Sequence, residues 1–295
     1  MRGLTADRIS LTLFLAWLIW LPLPFGSNIE GAQRPLIAIP LLLCASTILL
    51  RLYRNGSSRP PARAWWIWTV GASLFVVAAA VQLIPLSPSL LRTVSPESYA
   101  VWTESVRVAV FQGVAPAGSM HPVTVNPSAT LRELFRLVAL LATFQAASML
   151  IHNDTRRTAF AGTLTVVALF EALYGVRAAA TQNYAIWGWR NTLIYDRVTG
   201  TFVNPNHFAH YLAITTPFAF FLAARAWHAS LPGASVGHRV AALVERNLLP
   251  FSLGILAALG SLAGILLAQS RGALLALISG GIFVGVVLML SSPQA

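Results

Sequence analysis

Long apolar stretches separated by short polar segments run along most of the chain. A helix of about 20 mostly apolar residues crosses a hydrocarbon core of about 30 Å, so stretches near this length are candidate spans. The candidate spans cover residues 9–25, 35–52, 64–84, 130–151, 159–179, 207–227, 248–269 and 273–291. The pattern predicts an all-α fold: a polytopic transmembrane helical bundle of about eight spans, in a single integral membrane domain of residues 1–295.

Two longer polar segments, residues 85–129 and 180–206, interrupt this pattern. Six prolines fall in the first segment, which predicts a mostly irregular backbone there. Within it, residues 95–111 fit a short amphipathic helix that lies on the membrane, with Tyr99 and Trp102 at the interface.

The charge of the chain comes from arginine alone, since all 20 basic residues are arginines against 9 acidic residues, a formal net charge of +11. No basic run is interleaved with aromatic residues, so the composition does not indicate nucleic-acid binding. Positive charge favours cytoplasmic loops and contact with anionic membrane lipids. This rule places the N-terminus in the cytoplasm and both long polar segments outside. Several arginines then also lie outside, against the rule, and we expect them to have a function there.

The polar segment Arg197-Val-Thr-Gly-Thr-Phe-Val-Asn-Pro-Asn-His-Phe-Ala209 directly precedes an apolar run. Pro205 favours an extended backbone at Asn204, so a helix is not expected to pass through this point. We expect Asn206 to be the N-cap and His207 to begin the next helix. The positive end of that helix, with Arg197 nearby, suits an anion such as a diphosphate.

A second arginine lies between the last two candidate spans, in the short sequence Ser270-Arg271-Gly272. A charge held between two spans indicates function. On the predicted topology, Arg197 and Arg271 both stand at outward-facing helix N-termini, where together they would attract an anion.

Three further polar residues are candidates for chemistry. His207 and His210 share one helical turn and suit either acid–base roles or simple interfacial contacts. Neither has a third metal ligand nearby, so a metal site is not predicted. Glu171, inside the fifth span, would balance an arginine, or be protonated, or face water.

The pattern R-x-x-G-T-F-x-N-P-N-H-F-A at 197–209 resembles the signature of the O-antigen ligase and polymerase superfamily of bacterial envelope membrane proteins. Three other motifs, in the same order as in the family, support the resemblance over about residues 120–290. They are residues 121–130, the sequence Glu171-Ala-Leu-Tyr-Gly175, and the sequence Ser270-Arg-Gly-Ala273.

The resemblance implies a C-type glycosyltransferase-like fold and a metal-independent enzyme without a cofactor, with its active face on the periplasmic side of the bacterial inner membrane. The donor would be a glycan linked to undecaprenyl diphosphate, and the acceptor a hydroxyl group of a lipid, a glycan or a protein, as in lipopolysaccharide or exopolysaccharide synthesis. Arg197 and Arg271 would hold the diphosphate as catalytic residues. The predicted substrate-binding residues are Gly200, Asn204, Asn206, His207, His210, Glu171 and Ser270.

The family's catalytic histidine follows the second arginine motif in a large periplasmic segment. We therefore expect these 295 residues to represent the front portion of the domain and to transfer no glycan by themselves. Two other functions stay open. A transporter or flippase of a lipid-linked glycan would use the same arginines without chemistry, and a membrane scaffold would not use them at all.

Overall fold

The computed structural model describes residues 2–53, 63–111, 120–190, 197–230 and 235–291, and most of these residues are helical. The helices are α1 (Arg2–Trp20), α2 (Glu30–Tyr53), α3 (Arg63–Val81), α4 (Pro88–Val94), α5 (Pro96–Phe111), α6 (Pro127–Leu150), α7 (Asp154–Thr181), α8 (Pro205–His228), α9 (Val236–Ala242), α10 (Leu248–Leu267) and α11 (Arg271–Ser291). A 3₁₀ turn at Phe25–Ser27 follows α1, and a π-helical turn at Leu243–Asn247 joins α9 to α10.

Five helical stretches among the described residues are long and apolar enough to cross a membrane: Glu30–Leu50, Pro127–Leu150, Asp154–Thr181, Pro205–His228 and Val236–Leu267. Trp65–Val81 and Arg271–Val286 are shorter apolar stretches. Many of their large apolar side chains are exposed, as on a lipid-facing surface. The chain is therefore an all-α, multi-pass membrane protein, while the count of eight spans stays a prediction.

The contacts divide the chain into two compact units. The first comprises Met1–Gly3 and Leu36–Met149, and the second comprises Leu4–Pro35 and Leu150–Ala295.

In the first unit, polar side chains join α3 to α6. The indole N–H of Trp65 donates to Ser148 Oγ at 3.0 Å, and the Gln145 amide donates to Thr69 Oγ1 at 2.8 Å.

The segment predicted to be mostly irregular contains α4 in addition to the expected helix α5, so it is more helical than predicted. Both helices begin at a proline. The first helical position tolerates proline because a backbone N–H at that position has no partner within the helix. The helix expected at 95–111 is α5, while its place on the membrane surface stays a prediction. Two short antiparallel strands, β1 (Pro85–Leu86) and β2 (His121–Pro122), close this segment.

The second unit is built on α7, α8, α10 and α11. Its main buried core consists of alanine, larger aliphatic and phenylalanine side chains: Ala168, Ala172, Val198, Phe202, Phe208, Ala209, Leu212, Ala213, Ile265, Ala268 and Ala273. Helices α8 and α10 approach closely because glycines face the partner helix. A Cβ atom at Gly254 would lie 2.5 Å from the Ala219 carbonyl oxygen, and one at Gly264 would lie 2.5 Å from Leu212 Cδ1. This packing brings the start of α8 next to the end of α10.

Candidate functional site

The start of α8 differs by two residues from the sequence-based expectation. Asn204 is the N-cap, where Asn206 was expected. Pro205 is the first helical residue, where His207 was expected. Asn204 has the extended backbone that a following proline favours, and its Oδ1 accepts from the Asn206 N–H at 2.8 Å. The expected start is wrong because proline itself fits the first helical position.

The guanidinium group of Arg197 binds the end of α10. Its Nε and Nη2 donate to the Ala268 carbonyl oxygen at 2.9 and 2.6 Å, and Nη2 also lies 3.3 Å from the Gln269 carbonyl oxygen. Carbonyl groups at a helix C-terminus lack partners within the helix and carry partial negative charge. Arg197 therefore caps α10, a structural role that the sequence analysis did not foresee.

Asn206 links Arg197 to His210. Its side-chain Oδ1 lies 3.3 Å from Arg197 Nη2, and its backbone carbonyl oxygen lies 2.6 Å from His210 Nδ1. On its other side, the His210 ring meets α11, since a Cβ atom at Gly272 would lie 3.5 Å from Cε1 and 3.6 Å from Nε2. One chain of contacts thus runs from the end of α10, across the start of α8, to the start of α11.

Helix α11 begins at Arg271, as expected from its place between two apolar runs. Ser270 precedes it and is buried, and its Oγ accepts weakly from the Ala273 N–H at 3.4 Å. The Arg271 side chain is exposed and forms no ion pair with the described part of the chain. We refer to Arg197, Asn206, His210, Ser270 and Arg271 as the arginine site.

Glu171 lies in the core of the second unit, fully buried. Its Oε2 accepts from the Thr201 N–H at 2.9 Å, and its Oε1 lies 2.6 Å from Thr201 Oγ1. Thr201 Oγ1 in turn lies 2.8 Å from the carbonyl oxygen of Pro22. The alternative of a water-facing Glu171 is wrong, and within the described ranges no arginine pairs with it. Its task is to hold the chain segment that follows Arg197.

Gly200 stands between Glu171 and α8. Its φ of +55° lies in the left-handed region, and a Cβ atom there would be 2.5 Å from both Glu171 Oε2 and the ring of Phe208. Only glycine fits this place without a shift of its neighbours. Gly200 and Glu171, both buried, therefore shape this segment, and their role in substrate binding stays a prediction.

His207 is not part of the contact network. Its side chain is exposed and makes no hydrogen bond or ion pair within the described ranges. The two histidines that the sequence could not distinguish are therefore distinguished by their surroundings. Thr201 and Gly272 entered the sequence analysis only as members of motifs, because neither residue type by itself indicates a role.

The described residues contain no cluster of three histidine, cysteine or acidic side chains that could hold a metal ion. The arginine site offers cationic and hydrogen-bonding groups at its exposed side, and such groups bind phosphate oxygens.

No protein-family model, curated protein or solved structure matches this chain.

Proposed function

We propose that the protein is a membrane glycosyltransferase of the O-antigen ligase and polymerase kind, with about eight spans and a C-type glycosyltransferase-like fold. It would move a glycan from undecaprenyl diphosphate to a hydroxyl acceptor at the periplasmic face of a bacterial inner membrane. The observation that carries the proposal is the arrangement of two arginines at neighbouring helix ends: Arg197 binds the end of α10, and the His210 ring on α8 meets Gly272, the residue after Arg271, at the start of α11.

The two arginines have different tasks in this proposal. Arg271 is exposed at a helix N-terminus, where the helix dipole adds to its charge, so it is the main ligand of the donor diphosphate. Nε and Nη2 of Arg197 donate hydrogen bonds to oxygen atoms of the protein, but its Nη1 makes no hydrogen bond within the described ranges. Nη1 is the part of Arg197 that remains for the anion.

Transfer requires that charge on the departing diphosphate be stabilised. Fixed cationic donors do this without rearrangement during the reaction. A flippase of the same lipid-linked glycan would need the anion site but would break no bond. Release of free undecaprenyl diphosphate therefore separates the two functions.

Donor binding tests the proposal. The full chain in nanodiscs of neutral lipid should bind an undecaprenyl-diphosphate analogue, and Arg271→Ala should weaken binding about tenfold or more, because a charge-assisted contact contributes about 1.5–3 kcal/mol. Arg271→Lys should recover only part of the affinity, since lysine lacks the planar fork.

Arg190→Ala is the matched control, because Arg190 is an exposed arginine of the segment preceding α8 outside the arginine site. It should leave the affinity nearly unchanged. Equal, modest losses in Arg190→Ala and Arg271→Ala would show a diffuse positive field and would contradict the proposed site.

A further inference from the structure

A cavity of about 160 Å³ lies in the first unit, where α4, α5 and the two short strands meet. Its lining includes aliphatic, aromatic and hydroxyl side chains: Leu91, Tyr99, Trp102, Thr103, Val106 and His121. A water molecule takes up about 30 Å³, so the cavity has room for about five water molecules. It therefore fits one small ring and is too small for a lipid chain or an oligosaccharide. We refer to it as the ring cavity.

The aromatic wall of the ring cavity is held in place from two sides. The indole N–H of Trp102 donates to the Pro122 carbonyl oxygen at 3.0 Å. The Trp102 ring also stacks on the His121 ring, with the ring centroids 4.6 Å apart and the planes 10° apart. His121 is in turn paired with Leu86, where β2 meets β1. Because these contacts fix the wall before any ligand enters, the cavity resembles the largely pre-formed sites that bind small molecules.

Two hydroxyl groups of α5 belong to the lining and offer different hydrogen bonds. Thr103 Oγ1 donates its only hydrogen to the Tyr99 carbonyl oxygen at 2.7 Å, so toward a ligand it can only accept. The Tyr99 hydroxyl group makes no hydrogen bond within the described ranges, so it can donate or accept. A ligand that carries hydroxyl groups satisfies both residues, because a hydroxyl group is donor and acceptor at once.

The charge of the lining narrows the ligand further. Among the described residues, no arginine or acidic side chain borders the ring cavity. A charged ligand would lose hydrating water there without gaining an ion partner. A purely apolar ring would leave the hydroxyl groups of Tyr99 and Thr103 without a partner. A neutral sugar ring meets both conditions, since its C–H groups suit aromatic and aliphatic walls and its hydroxyl groups suit Tyr99 and Thr103.

We infer that the ring cavity binds the ring of one neutral sugar residue. The segment that forms it, residues 85–129, is predicted to lie outside the cytoplasm, where envelope glycans are found. The ring cavity shares no residue with the arginine site, so this inference does not depend on the proposed glycan transfer.

Binding is tested on the full chain in nanodiscs of neutral lipid by nuclear magnetic resonance. Labelling with ¹⁵N-tryptophan gives an indole signal for each of the nine tryptophans, and its loss in Trp102→Phe identifies the Trp102 signal. The probes are the methyl glycosides of glucose, N-acetylglucosamine and rhamnose, each titrated separately. We expect at least one of them to shift the Trp102 signal saturably while the other indole signals stay in place. No saturable shift with any of the three would overturn the inference.

Two further probes test the chemistry of the ligand. Methyl galacturonide has a sugar ring with a carboxylate group, and it should bind at least about tenfold more weakly than the best neutral glycoside. Cyclohexanol is a ring of similar size with a single hydroxyl group, and it should also bind more weakly. Equal binding of the galacturonide, or stronger binding of cyclohexanol, would show that the cavity does not select a neutral sugar.

Two substitutions test the place of binding. Val106→Phe fills the cavity and should abolish the shift of the Trp102 signal. Tyr99→Phe keeps the aromatic ring and removes only the hydroxyl group, so it should weaken binding about two- to tenfold, as the loss of one neutral hydrogen bond does. Tyr53→Phe is the matched control, because Tyr53 is an exposed tyrosine at the end of α2 in the same unit, and it should bind like the wild type.

Thermal unfolding of each variant shows whether its fold is kept, and Tyr99→Phe decides the question if Val106→Phe does not fold. Wild-type affinity in Tyr99→Phe, or equal losses in Tyr99→Phe and Tyr53→Phe, would overturn the inference. Donor binding at Arg271 is measured separately, so the ring cavity and the proposed function can fail independently of each other.

Discussion

The carboxyl group of Glu171 holds Thr201 by both its backbone N–H and its hydroxyl group, at 2.9 and 2.6 Å, although the two residues are 30 positions apart. Because Glu171 belongs to α7 and Thr201 lies four residues after Arg197, this contact fixes the segment that delivers Arg197 to α10. The buried carboxyl group thus supports the arginine site without touching it.

The first prediction concerns Glu171 and follows from the single hydroxyl hydrogen of Thr201. Thr201 Oγ1 has one hydrogen, yet it lies within hydrogen-bonding distance of both Glu171 Oε1 and the Pro22 carbonyl oxygen. Both contacts are satisfied when Glu171 donates a hydrogen to Thr201 and Thr201 donates to Pro22. Glutamine can make the same bonds, so Glu171→Gln should unfold at nearly the wild-type temperature.

Glu171→Ala should instead lose about 1–3 kcal/mol of stability, since the buried Thr201 N–H is left without a partner. Thermal unfolding of both variants in the same nanodiscs provides the measurement. Equal destabilisation by glutamine and alanine would mean that Glu171 only accepts hydrogen bonds from Thr201 and donates none.

A second prediction concerns Gly200. Alanine at this position must adopt a left-handed backbone, at a cost of about 1–2 kcal/mol, and must also push against Glu171 and Phe208. Gly188→Ala is the matched control, because Gly188 also has a positive φ, +85°, but a Cβ atom there meets nothing within 4 Å.

Overpacking typically adds about 1–3 kcal/mol, so Gly200→Ala should be the less stable of the two variants by about that amount in a thermal or denaturant titration. Equal losses would show that only the backbone conformation matters at Gly200.

The structural role of Arg197 gives a third prediction. Arg197→Ala removes the bonds to the Ala268 and Gln269 carbonyl oxygens and should lower stability by about 1.5–3 kcal/mol. Arg271→Ala removes an exposed side chain and should change stability by less than about 0.5 kcal/mol. The free energy of unfolding, measured without donor, separates the two arginines; a stable Arg197→Ala variant would refute the capping role.

Membrane topology is the fourth prediction. Single cysteines at Gly118 and Gln182, in a Cys44→Ser background, should react with an impermeant thiol reagent in intact spheroplasts, because both positions belong to the segments predicted to face the periplasm. A cysteine at Gly56 should not react. Reaction at Gly56 alone would reverse the orientation and place the arginine site on the cytoplasmic side.

The sequence by itself determined most of the long helices and several of their ends. Apolar stretches of membrane-spanning length predicted α6, α7, α8 and α10 within a few residues, because helix formation depends on neighbouring positions and on length. The extended backbone at Asn204 also followed from its neighbour Pro205. The start of α8 was misplaced by two residues because two asparagines compete for one N-cap, and both fit local rules.

Only the tertiary structure decided what each polar residue does. Arg197 and its acceptor Ala268 are 71 positions apart, and they meet because glycines let α8 and α10 pack closely. His207 and His210 look alike in sequence, but only His210 has Asn206 at one nitrogen and Gly272 beside the other. Such contacts depend on how helices pack against one another. The sequence of one helix does not specify which residues of other helices will contact it.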